Sequence, residues 1–298
     1  MRYLKTVFAL TVFLTCPGAI WAGVSASYSH TTGSNGFDGN TTDANLDLFS
    51  GLYVGASYNS YHSDNSSGTI NTYYGRLGHY GENGSWKLYG LVTPEVSDYK
   101  AVGAGGEFRV TVLGRGHEEA SPPTEQPVTE PAAVPSGPPS WHADPRLDLL
   151  GSYTRTMYTD QGQKIDENDI MGGLGFNLFK TYLSGTFTKS VYDQEFSGII
   201  NPNARRFNIG YAPSIIPGYP DYIYTASVDQ TLLPGWWALG SYSYLKFKDG
   251  PEDNGNLVSV GTGITLFHFI MGTVMYTWYN PNNNPKLHFF SVGAGLQF

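Results

Sequence analysis

The chain has 298 residues, of which 14% are charged and 15% aromatic, and its formal net charge is −8. So little Lys and Glu excludes the charged surface of an ordinary soluble domain, and so many rings exclude general disorder. The acidic balance excludes nucleic acid as a partner, since that would need a basic stripe.

The first element is a targeting segment. Arg2 and Lys5 precede the apolar run 7–15, Pro17 and Gly18 break any helix, and a small residue, Ala22, ends the segment. This is the order of a secretory signal peptide, and the run is too short to span a bilayer. Residues 1–22 are therefore expected to be removed after Ala22, taking with them the sole cysteine, Cys16. Cysteine catalysis is then excluded from the mature chain. The 17 Lys and Arg less Arg2 and Lys5 leave 15 basic against 25 acidic residues.

The mature chain runs as a series of short segments with period-two alternation, separated by turn-rich stretches. The first are expected near 23–30, 45–50, 52–61, 70–80 and 86–95. Between the third and fourth, YHSDNSSG at 61–68 gathers His62, Ser63, Asp64 and Ser66. Outer-membrane lipid hydrolases resemble this in placing His near Ser at a strand end, but space the two by one residue and then have Asn. His62 and Ser63 are adjacent, so on a strand they point to opposite faces and cannot share a proton. A polar loop is the expected reading, and no catalytic residue is assigned.

The sixth segment, 99–112, shows the pattern most fully. Val102, Ala104, Gly106, Phe108, Val110 and Val112 form one face; Gly103, Gly105, Glu107, Arg109 and Thr111 form the other. Next comes a break. Residues 114–144 hold seven prolines and Glu118, Glu119, Glu125 and Glu130. Proline removes ladder donors, so this is an extended insertion, expected on the periplasmic side. Its functional reading is a tether or docking segment for a periplasmic partner.

Segments near 146–158, 168–179 and 182–193 come next. Asp160, Asp166, Glu167 and Asp169 offer oxygen ligands of the kind Ca²⁺ takes, but without EF-hand spacing. A solvated acidic loop is expected there, with no metal and no cofactor. The glycine runs at 103–106, 172–175 and 261–263 open no helix and read as close packing within strands rather than phosphate loops. After a segment at 205–212 come 222–233, 236–247, 257–266, 269–279 and 287–298. In 222–232, Tyr222, Tyr224, Ala226, Val228 and Leu232 oppose Ile223, Thr225, Ser227, Asp229 and Thr231. In the last segment His288, Phe290, Val292, Ala294, Leu296 and Phe298 share a face.

Two architectures give such alternation: a sandwich with its apolar face inward, or a barrel with that face toward lipid and a wet lumen. The leader, segments of about ten residues, and faces of glycine and polar residues all favour the barrel. So do aromatic pairs at segment ends (Tyr73-Tyr74, Trp236-Trp237, Trp278-Tyr279, Phe289-Phe290), which suit a bilayer interface. Strands in hydrocarbon must close on themselves. The fold class is thus all-β: a transmembrane antiparallel up-and-down β-barrel. Fifteen segments cannot return both ends to one side. If 205–212 belongs to a long extracellular excursion at 194–221, the count is fourteen; twelve and sixteen stay open.

The final SVGAGLQF resembles the C-terminal assembly signal of bacterial outer-membrane proteins, with Ser291, Gly293, Leu296 and Phe298 in its positions. The stretch 211–244 resembles a family of uncharacterised proteobacterial outer-membrane proteins. These resemblances imply the Gram-negative cell outer membrane. Its lipid and lipopolysaccharide and the barrel-assembly machinery would be partners.

Charges within strands carry the functional reading. Asp47, Glu107, Arg109, Asp148 and Asp229 fall on the less apolar parity. Facing lipid they would cost roughly 2–4 kcal/mol at the midplane for a basic residue, so they are expected to line the lumen. There they either set ion selectivity or pair and plug it, Glu107 with Arg109 for example. A barrel of this size is wider than the eight-stranded kind that side chains fill. The expected function is a channel or small porin for small polar solutes or ions, without enzymatic activity. A docking component of an export assembly and a lipid-acting enzyme at His62 and Ser63 are the alternatives.

Overall fold

The computed structural model describes residues 23–48, 51–64, 68–81, 83–96, 99–114, 145–160, 162–193, 205–209, 212–216, 218–249, 254–267, 269–282 and 285–298. The signal peptide and all but Gly114 of the proline-rich insertion lie outside them.

The strands are β1 (Gly23–Gly33), β2 (Phe37–Asp47), β3 (Leu52–His62), β4 (Ile70–Gly81), β5 (Gly84–Val96), β6 (Tyr99–Leu113), β7 (Arg146–Asp160) and β8 (Gln163–Leu178). They continue with β9 (Thr181–Tyr192), β10 (Arg205–Ile209), β11 (Ala212–Ile216), β12 (Tyr219–Leu233), β13 (Trp236–Asp249), β14 (Asn254–Leu266), β15 (Ile270–Pro281) and β16 (Leu287–Gln297). Fourteen of them close into one barrel, each antiparallel to its neighbours, with β1 against β16 at the seam and β9 directly against β12. The seam is locked where the amide of Val24 donates to the carbonyl of Phe298 at 2.9 Å and that of Phe298 to Val24 at 2.8 Å. Closure leaves no unpaired edge in the wall.

The alternation sets which way each side chain points. On β14, Val260 is 46% exposed while Ser259 beside it is fully buried. The same division runs round the barrel. Val102, Phe108, Leu149, Leu174, Leu183, Val228, Val274 and Val292 form an exposed outer band, while Ser, Thr, Gly and charged residues face in. Such a band suits hydrocarbon.

Three expectations change. The second strand is not 45–50 but Phe37–Asp47. Its outward positions Asp38, Asn40 and Thr42 lack apolar character, so hydropathy hides it; the hairpin is set instead by Asn35 and Gly36, both at positive φ (57° and 61°). The segment at 205–212 is outside the wall, as a count of fourteen requires, but it is not one strand: β10 pairs only with β11, as a separate hairpin between β9 and β12. Finally, the aromatic pairs do not all sit in the lipid girdle. Adjacent residues on a strand face opposite ways. So Tyr73, Trp236 and Phe290 are exposed outside while Trp237, Tyr279 and Phe289 are buried inside.

Candidate functional site

The lumen wall is the candidate site. In the half nearer residues 23 and 298, strand parity brings charges inward from β2, β4, β5, β6 and β7. Arg76 on β4 reaches across β3 to β2. Its Nη2 donates to both oxygens of Asp43 at 2.6 Å, its Nε to Asn45 at 3.0 Å and its Nη1 to Ser57 at 2.9 Å. Ser57 completes the ring by donating to Asp43 at 2.8 Å. A guanidinium with several fixed donors meets several acceptors, which is the geometry in which a buried pair holds together. Lys87 pairs with Glu107 at 3.1 Å, with its ammonium 5.6 Å from the centre of the Tyr89 ring. Arg146 pairs with Asp148 at 3.1 Å, and Thr111 donates to the same carboxylate at 2.8 Å.

Asp47, Glu107, Arg109, Asp148 and Asp229 all lie on the inward parity of their strands. Asp47 is held by the Tyr80 hydroxyl. Glu107 bonds to Lys87 on the neighbouring strand rather than to Arg109. Arg109 instead lies within electrostatic reach of Arg146 and Tyr182, and Asp229 within reach of Tyr182. The structure brings three of the five, Arg109, Asp148 and Asp229, within electrostatic reach of Tyr182 together with Arg146, while Asp47 and Glu107 bond elsewhere on the wall. Sequence reasoning missed Asp43, Arg76, Lys87, Arg146, Glu167 and Asp169, which share the inward parity. The same two-residue count along β2, β4, β5, β7 and β8 would have found them.

At mid-height, hydroxyls replace charges on many strands. Thr31 bonds to Ser291 at 2.7 Å, Thr72 to Thr93 at 2.8 Å, Ser184 to Ser227 at 2.7 Å, Thr225 to Ser243 at 2.9 Å and Thr277 to Ser259 at 2.9 Å. These cross-strand pairs satisfy one another and leave a short-chained lining. Above them, toward the far end, comes a collar of buried apolar groups. Ile223, Leu245, Phe247, Leu257 and Tyr279 form one cluster, Phe37, Tyr61, Ile70 and Phe289 a second, and Tyr158, Ile165, Tyr192 and Tyr219 belong to a third. Leu287 joins the first to the second and Tyr99 the second to the third. β11 reaches this end too, within 8 Å of β15 between Cα atoms, three strands along the wall from β12.

Several inward rings are laid along the wall over a neighbouring glycine. Tyr53 covers Gly78, Tyr89 covers Gly105, Tyr182 covers Gly175, Trp237 covers Gly263 and Tyr279 covers Gly255, each so closely that a Cβ at the glycine would collide with the ring. One glycine in each of the runs 103–106, 172–175 and 261–263 (Gly105, Gly175 and Gly263) is therefore a shelf for an aromatic side chain, and none of the runs opens a helix.

The remaining candidates disperse. His62 is exposed and Ser63 buried, on opposite sides of the chain. Asp166 faces outward in an ion pair with Arg155 at 2.5 Å, whereas Glu167 faces inward and accepts from Tyr192 at 2.7 Å. The expected solvated loop is strand instead: Asp166, Glu167 and Asp169 lie in β8 and divide between its two faces, with Glu167 buried, and no group of three metal-ligating side chains forms among the described residues.

No protein-family model matches the chain, and no curated protein matches it. Some solved structures resemble the chain weakly. OprD of Pseudomonas aeruginosa is 11% identical, with 93% of this chain and 94% of that chain covered at a TM-score of 0.45. The KdgM porin, solved in complex with disordered oligogalacturonate, is 9% identical over 92% of this chain and 99% of that chain, at 0.42. CdiB of Acinetobacter baumannii is 8% identical over 93% of this chain and 60% of that chain, at 0.47. Similarity of this degree, with TM-scores below 0.5, carries no conclusion about this chain.

Proposed function

We propose that the protein is an outer-membrane channel that passes small polar solutes and ions and favours cations. One observation carries this. Among the described residues, the buried and half-buried inward positions bear seven carboxylates (Asp43, Asp47, Glu107, Asp148, Glu167, Asp169, Asp229) against four cations (Arg76, Lys87, Arg109, Arg146). Fixed charge on a low-dielectric wall raises the local concentration of counter-ions. Mid-height hydroxyls then offer exchangeable hydrogen bonds. The mechanism is passive, and no covalent step is assigned to any residue.

In this reading the end carrying residues 23 and 298 is periplasmic and the far end is extracellular. The proline-rich insertion at 114–144 then leaves the periplasmic rim between β6 and β7. On β16 Leu296 faces outward and Ser291 and Gly293 inward, and Phe298, just past the strand's end, is exposed. Such a two-faced strand gives the assembly machinery an apolar edge to grip. The test is reconstitution of the mature chain in a planar bilayer under a salt gradient. A reversal potential of the sign set by cation flow is expected. Anion preference refutes the charge argument, and absence of discrete conductance refutes the channel.

A further inference from the structure

We propose that removal of the leader after Ala22 builds an ion pair that the precursor lacks: the new α-ammonium of Gly23 binds the carboxylate of Asp47 and pins the first residue of β1 to the rim of the barrel. This rests on the expected cleavage and on the closed barrel, and not on conduction.

Register puts the two groups together. Gly23 pairs with Asp47 across β1 and β2. Residues opposite each other in a sheet share a face, so Gly23 stands on the inward face that Asp47 occupies. A Cβ at Gly23 would lie 2.8 Å from Oδ2 of Asp47 and 3.2 Å from the carbonyl oxygen of Phe298. The Gly23 nitrogen hangs from the same Cα as that position, and glycine leaves the space beside the carboxylate open. The next residue is already fixed, since the Val24 amide donates to the Phe298 carbonyl at 2.9 Å and the Phe298 amide to Val24 at 2.8 Å. The new terminus is therefore held at the seam, with two acceptors beside it.

Asp47 is the carboxylate that wants a cation. Asp43, Glu107 and Asp148 each pair with an Arg or Lys on the same wall. Asp47 is half-buried, accepts from the Tyr80 hydroxyl and has no cation partner among the described residues. Tyr80 is itself fixed, by its amide's bond to the Gly51 carbonyl at 3.0 Å and by stacking on Tyr53 with centroids 5.8 Å apart. One hydroxyl offsets only part of the cost of withdrawing a carboxylate from water. In the precursor Gly23 offers a neutral amide with a single proton. Hydrolysis of the Ala22–Gly23 bond adds the hydroxyl of water to the Ala22 carbonyl and its proton to the Gly23 nitrogen. The amine so formed takes up a further proton at neutral pH, because an α-amino group titrates near 7.7–8.0. The acceptor side of the pair is thus built by β2 and β4 before cleavage, and cleavage supplies the donor.

The test has two parts. The intact mass of the exported chain should be that of a chain starting at Gly23; any other start overturns the pair. The full mature chain is then refolded into lipid vesicles and unfolded in urea in four forms: unaltered, acetylated at the terminal amine with the lysines free, Asp47→Asn, and Asp47→Asn acetylated. Asn keeps an oxygen for the Tyr80 hydroxyl and removes only the charge. Acetylation of the unaltered protein and Asp47→Asn should each raise the unfolding equilibrium constant about tenfold, as loss of a charged hydrogen bond implies. Acetylation of the variant should add nothing further, because the two changes remove one interaction. Fully additive losses overturn the proposal. So does an unaltered protein that acetylation leaves equally stable, and that arm decides even where the variant folds poorly.

Discussion

At the scale of single residues, the interior is governed by pairs that sequence parity locates only by halves. Counting by two finds that Glu107, Asp148 and Asp229 face inward, because the strand period is fixed. It says nothing about which residue stands opposite on the next strand. That is why Lys87, and not Arg109, is the partner of Glu107, and why the pairing of Arg76 with Asp43 is invisible to such a count. Asp43→Ala strands a buried guanidinium, so it should cost about 3–5 kcal/mol, read as a lower unfolding midpoint in denaturant. Replacing both partners, as Asp43→Leu with Arg76→Met, should restore most of that loss. The glycine shelves are open to a different test. Gly78→Val puts side-chain atoms where the Tyr53 ring lies, with no backbone atom among the close contacts. The ring must then swing into the lumen, so single-channel conductance should fall with little change in barrel content by circular dichroism. Unchanged conductance would show that the ring does not border the path.

At the scale of elements, the strands that sequence reveals are those whose lipid face is mostly apolar, such as β6 and β14. β2 escapes because Asp38, Asn40 and Thr42 lie on its outer face. The turn chemistry at Asn35-Gly36 is the one local signal that marks it. The aromatic pairs were legible as interface residues only in part, since one ring of each must turn inward. The β10–β11 hairpin was legible by arithmetic, because an odd count cannot close. Since β9 pairs with β12 without it, replacing 194–217 by a short turn should leave the barrel folded and resistant to heat in mild detergent. Because β11 leans toward β15, the shortened protein should conduct more. Loss of folded barrel on electrophoresis after that deletion would mean that the hairpin supports the wall.

At the scale of the whole molecule, the outer band of Val, Leu and Phe demands an apolar solvent. The mature chain should stay monodisperse in detergent and aggregate when detergent is withdrawn, as light scattering would report; a soluble monomer in plain buffer would contradict the placement of that band. The distribution of inward charge has one more effect. Among the described residues it is confined to the arc from β2 to β12, while β13 to β16 and β1 contribute hydroxyls, thioethers and rings. In the proposed channel a passing molecule would meet ionic groups on one flank only, so a potential gradient would run sideways across the path. Zwitterions would be rotated to a preferred attitude before they advance, and two isomers of equal size but opposed dipoles should travel at different speeds.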